Sequence, residues 1–219
     1  MTMHIHTYLD EFPLIAIFRG VIPEEVVSIA EGVVDAGFRI LEVPLNSPRP
    51  LESIALLAER FPDLLVGGGT VMSPADAMAI ARAGGKLVLM PHSDPAVVRQ
   101  AKQSGLLCVP GVATPTEAFA ALANGADALK LYPAEQIAPA VVKAWRAVLP
   151  SGHRLLPVGG IRPDTMADYL RAGANGFGLG SALYKQGMPA AEVARNAQAF
   201  AEALAGLRKQ GVLQANGAA

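Results

Sequence analysis

The chain has 219 residues, of which 52% are hydrophobic and 17% charged, with a formal net charge of −1. That length suits one large hydrophobic core, and the near-neutral balance excludes the broad basic field that gathers nucleic acid or an acidic membrane surface. The lone cysteine excludes an internal disulfide framework, and Cys108 in the apolar run Leu106-Leu-Cys-Val109 reads as a small buried hydrophobe.

The opening Met-Thr-Met-His-Ile-His has neither the basic start nor the apolar run of a secretory signal, and it reads as a mobile start. No apolar stretch approaches the roughly 20 residues of a membrane span, so a cytoplasmic protein is expected. Strands are then expected at 14–18, 38–43, 64–66, 86–90, 106–109, 128–131, 154–158 and 176–179. Helical segments lie between them, for example 23–35, 48–60, 74–83, 94–103 and 163–172. Many open with proline, whose fixed φ and missing N–H suit the first helical turn.

These helices end on a small residue and a glycine, at Ala36-Gly37, Ala83-Gly84, Ser104-Gly105, Asn124-Gly125 and Ala172-Gly173. Each pair is a C-terminal cap feeding a strand. With Phe61-Pro62 and Leu149-Pro-Ser-Gly152 the punctuation recurs about every 20 to 25 residues, the period of one strand and helix unit. Strict alternation also suits an open doubly wound sheet, but eight near-equal units without a composition break favour closure into an α/β (β/α)8 TIM barrel. One domain over 1–219 is expected, with a frayed tail from about 207.

Two charges interrupt apolar strands. In Phe38-Arg-Ile-Leu-Glu-Val43, alternation sends Leu41 and Val43 towards the helices and turns Glu42 into the barrel. In Ala128-Leu-Lys-Leu-Tyr132 the same rule sends Leu129 and Leu131 outward and Lys130 inward. Burying either charge alone costs several kcal/mol, so the pair needs a reason. A structural ion pair is one reason. Their place near the C-terminal strand ends, where barrel enzymes build their sites, points instead to function. A desolvated lysine with a cation nearby, such as Arg19, becomes a nucleophile able to condense with a ketone, and a carboxylate moves the protons.

Glycine-rich turns follow strands seven and eight, at Gly159-Gly160 and around Gly180-Ser181. Backbone N–H groups there can approach an anion, and a helix starting just after Ser181 would add its positive end, which makes a phosphate site in the usual barrel location. A third cluster, Gly67-Gly-Gly-Thr70, follows strand three and is either a plain tight turn or a loop that delivers a hydroxyl to the same rim, where Arg19 and Thr70 form an anion clamp. No set of histidines has metal-ligand spacing. His92 alone follows a strand's C-terminal end and is a candidate substrate contact beside Pro91.

Together, Leu41-Glu-Val-Pro-Leu-Asn46, Gly67-Gly-Gly-Thr-Val71, Leu129-Lys-Leu-Tyr-Pro-Ala134, Val158-Gly-Gly-Ile161 and Gly180-Ser181 resemble the 2-keto-3-deoxy-6-phospho-sugar-acid aldolases over nearly the whole chain. The resemblance implies a metal-free, cofactor-free class I aldolase with Lys130 as Schiff-base lysine and Glu42 as proton shuttle. It implies substrate contacts at Arg19, Thr70, Val158, Pro91 and Asn46, a phosphate site at Gly159, Gly160, Gly180 and Ser181, and a homotrimer. The family's phosphogluconate branch has arginine where Asn46 stands and threonine where Val158 stands. This sequence therefore looks like the phosphogalactonate branch, which releases pyruvate and D-glyceraldehyde 3-phosphate. A valine cannot make the hydrogen bond that threonine offers the C4 hydroxyl, so acceptance of the gluconate epimer, or of both, stays open. Two other readings stay open as well: an isomerase or epimerase in which Glu42 is the base, and a non-catalytic barrel that senses sugar phosphates.

Overall fold

The computed structural model describes residues 4–213. Eight parallel strands form the inner wall: β1 Leu14–Ile17, β2 Ile40–Pro44, β3 Leu65–Gly69, β4 Leu87–Leu89, β5 in two pieces, Leu107–Val109 and Gly111–Val112, β6 Ala128–Leu131, β7 Arg154–Pro157 and β8 Phe177–Leu179. Pro110 splits β5 because it has no N–H to give the ladder. The wall stays continuous there, since Asp127 N donates to Cys108 O and Lys130 N to Pro110 O, each at 2.9 Å. It closes at the other seam through a parallel bridge between Val158 and Gly178 and the pairing of β8 with β1. The expected (β/α)8 barrel is the fold.

Around it run α2 Pro23–Asp35, α3 Pro50–Arg60, α4 Pro74–Arg82, α5 Pro95–Gln103, α6 Pro115–Ala123, α7 Pro139–Arg146, α8 Met166–Arg171 and α9 Ala190–Lys209, after a short α1 Ile5–Glu11. Alternation along each strand divides the core into two shells. Leu41, Val43, Leu129 and Leu131 pack outward against the helices. Ile15, Ile40, Leu65, Leu87, Leu107 and Leu156 fill the barrel from within.

Four expectations are corrected. Of the expected mobile start, residues 1–3 lie outside the described ones and the chain is helical from Ile5: α1 carries Ile5 and Leu9, one turn apart, into the inner shell and stoppers the barrel's N-terminal end. His6 Nδ1 accepts from Arg154 Nε at 3.0 Å, which fixes the plug to β7. The chain does not fray at 207, because α9 runs to Lys209 and buries Leu204 and Leu207; only residues 214–219 of the expected tail lie outside the described ones. The glycines 67–69 are not a turn but the body of β3. No helix follows Ser181; Gly180 O accepts from Leu183 N and Tyr184 N in a single turn, and α9 begins only at Ala190. Helix starts shift slightly: α3 opens at Pro50 after a left-handed Arg49, and α8 at Met166 after a turn in which Thr165 Oγ1 accepts from Arg162 N.

Candidate active site

A cavity of about 570 Å3 opens at the C-terminal ends of the strands, and both inward charges line it. Glu42 from β2 is 2% exposed and Lys130 from β6 is 6% exposed, an extent of burial that neither group tolerates without compensation. Burial pushes the Glu42 carboxyl up to about 7, against the pull of Lys130 and Arg19. Burial also lowers the Lys130 ammonium, an effect that Glu42 opposes and Arg19 reinforces. Burial thus works against the charged form of both groups, and their mutual attraction works for it. Glu42 Oε2 is buried with no hydrogen-bond partner, an acceptor held ready for something that enters the cavity.

Space for that carboxylate comes from β3. Its register sets Glu42 against Gly67 and Pro44 against Gly69. A Cβ at Gly69 would overlap Glu42 Oε1, and one at Gly67 would strike the Leu87 carbonyl. The glycines let a neighbouring strand's acid lie across the wall.

Arg19, at the end of β1, donates to Asn46 Oδ1 at 2.9 Å and reaches Thr70 Oγ1 at 3.5 Å. Thr70 lies at φ 54°, a left-handed conformation that costs a β-branched residue energy and aims its hydroxyl at the guanidinium. The loop bearing Asn46 is tied to the loop bearing Arg19 because Gly20 N donates to Ser47 Oγ at 2.9 Å. Arg19 and Thr70 line the cavity; Asn46 stands behind them and orients the guanidinium.

The rim after β7 and β8 carries Val158, Gly159, Gly160, Gly180 and Ser181, all on the cavity wall. Gly159 and Gly160 have φ of 115° and 62°, which L side chains rarely adopt. A Cβ at Gly180 would meet nothing within 4 Å, so the wall there is open to a ligand.

Pro91 and His92 are not among the residues that line the cavity. The Pro91 backbone packs where a Cβ of Gly111 would stand, and His92 O accepts from Gly111 N at 3.1 Å, with His92 Nδ1 buried and without a partner. Both therefore support the broken strand β5. Cys108 is buried and its thiol is pushed up to about 12, chiefly by burial, which leaves it inert. Among the described residues, no group of three or more His, Cys, Asp or Glu side chains converges as a metal site would.

Several lining residues escape the sequence reading. Tyr132 places its ring 4.4 Å from Lys130 Nζ, and alternation two residues beyond an inward lysine was a usable signal for it. Glu135, Arg162, Tyr184 and Lys185 also line the cavity, and their loops carry no periodicity that announces them.

A buried lysine and glutamate facing one cavity at the C-terminal ends of the strands form the kind of site that barrel enzymes build on this face. The chain belongs to the KDPG and KHG aldolase family, whose model matches residues 5–199, and it is an aldolase, a carbon–carbon lyase. A probable 2-dehydro-3-deoxy-6-phosphogalactonate aldolase of Rhizobium meliloti is 45% identical over 85% of this chain and 89% of its own. The 2-dehydro-3-deoxy-6-phosphogalactonate aldolase of Escherichia coli is 43% identical over 88% of this chain and 95% of its own. A solved structure described as native KDPGal superposes with a TM-score of 0.89 at 41% identity, covering 91% of this chain and 97% of that one. A KDPG aldolase from Legionella pneumophila, solved with pyruvate captured at low pH as a covalent carbinolamine, superposes with a TM-score of 0.79 at 25% identity, covering 93% and 97%.

Proposed function

We propose that this chain, working as one barrel domain, cleaves 2-dehydro-3-deoxy-6-phospho-D-galactonate reversibly to pyruvate and D-glyceraldehyde 3-phosphate through a Schiff base on Lys130. The observation that carries the reading is the buried Lys130 and Glu42 facing one cavity, with Glu42 Oε2 free to take a proton. The neutral amine attacks the C2 ketone, and Glu42 relays protons as the carbinolamine loses water to give the iminium. The C4 hydroxyl gives up its proton to Glu42 through a water. The C3–C4 electron pair then moves into the iminium, which leaves an enamine and frees the aldehyde. Protonation of the enamine at C3 and hydrolysis return pyruvate and the amine.

Arg19 and Thr70 hold the substrate carboxylate, with Asn46 bracing Arg19, while Gly159, Gly160, Gly180 and Ser181 receive the phosphate. Identity of 43% and 45% to two galactonate relatives, together with Asn46 and Val158, supports the galactonate epimer. A cytoplasmic homotrimer suits the same reading, and sedimentation reads the trimer directly.

Borohydride added with pyruvate should leave a covalent adduct on Lys130, and Lys130→Ala should lose both adduct and turnover. An active Lys130→Ala enzyme would rule the Schiff base out. A coupled pyruvate-release assay on the two C4 epimers side by side should favour the galactonate, and equal rates would refute a strict assignment.

A further inference from the structure

Glu135 lies on the short 3-10 turn Ala134–Gln136 that follows β6, and its side chain runs along Gly159 and Gly160, which follow the neighbouring strand β7. A Cβ at Gly159 would overlap its carboxylate, and one at Gly160 would come within 2.9 Å of its Cγ. The turn is pinned in place: Ala134 N donates to Val158 O, and Ala134 O accepts from the Tyr169 hydroxyl, both at 2.9 Å. Among the described residues no ion pair includes Glu135. The cations of this rim are Lys185 and Arg162, and Arg162 is paired with Asp164 at 3.1 Å. A carboxylate that no cation of its own neutralises therefore stands on the loop assigned to a dianion.

We propose that Glu135 is a binding residue that loosens the hold of the Gly159–Gly160 loop on the substrate's phosphate, an inference that rests on the phosphate assignment above. Its negative charge raises the free energy of any phosphate on the loop, whether it belongs to substrate, aldehyde product or free inorganic phosphate. Grip shared equally by ground state and transition state adds nothing to turnover once the enzyme is saturated, so a weakened cradle spares the enzyme product inhibition without a loss in kcat. Pyruvate, bound at the Lys130 end, does not feel this charge to the same degree.

The experiment measures inhibition of pyruvate release by inorganic phosphate and, separately, by pyruvate, in wild type, Glu135→Gln and Glu135→Ala. Removal of one like charge at contact range in a solvated cavity should tighten phosphate inhibition about fivefold in both variants. Inhibition by pyruvate should not change. Phosphate inhibition that is unchanged or weaker in Glu135→Gln overturns the proposal and leaves the phosphate site standing. Weaker inhibition in Glu135→Ala alone also overturns it, by making the side chain a hydrogen-bonding contact. If inorganic phosphate fails to compete with substrate even in wild type, the phosphate assignment itself fails and this inference falls with it.

Discussion

Glu42 is an expensive residue to keep: a carboxyl 2% exposed, with one oxygen unpartnered and its proton retained up to about pH 7. The unfolded chain releases that proton near 4.5, so between those values the folded form binds more protons. Stability from this group is therefore fully present below about 4.5, falls as pH rises to about 7, and levels off above it. Glu42→Gln should accordingly gain stability over wild type at pH 8, by an amount on the order of 2 kcal/mol, and gain little at pH 4; paired urea titrations measure both. The same variant should lose a factor of about 100 to 10,000 in kcat, since the shuttle is gone. Gly69→Ala tests the space the acid occupies: the added Cβ overlaps Glu42 Oε1, and kcat should drop at least about tenfold with a stability loss of about 1–3 kcal/mol. Undiminished activity would show that the position of Glu42 is unimportant. At Val158, 5% exposed on the cavity wall, threonine restores a hydroxyl; Val158→Thr should move the ratio of kcat/KM for the two C4 epimers by about tenfold towards the gluconate.

At the scale of elements, what the sequence reveals depends on whether the deciding contact is local. The inward direction of Lys130 and Glu42 follows from alternation within four or five residues of one strand, and it was legible. The role of Gly67–Gly69 was not, because a turn and a close approach call for the same residue, and Glu42 and Leu87, the neighbours that decide it, come from other strands. The α1 plug was hidden for a similar reason: seven residues with two buried positions give little periodicity, and their partners are scattered over the whole barrel. Glu135 meets its glycines only through folding, about two dozen residues on. Since Leu9 fills the end of the barrel away from the cavity, Leu9→Ala should cost about 2–4 kcal/mol in denaturant unfolding and leave kcat/KM unchanged. A large fall in kcat/KM would mean that the plug also shapes the rim.

At the scale of the molecule, closure of the wall through Val158 and Gly178 brings chemistry from β1, β2, β6 and β7 to one mouth. The helices run back the other way, and so the described chain begins and ends on the face opposite that mouth. There the Arg208 guanidinium donates to Glu11 O at 2.7 Å and joins α9 to α1. A tether or a second enzyme joined directly at His4 or Leu213, the first and last described residues, would therefore start on the face away from the cavity. Immobilised at either of these residues, the protein should present its open rim to the solution.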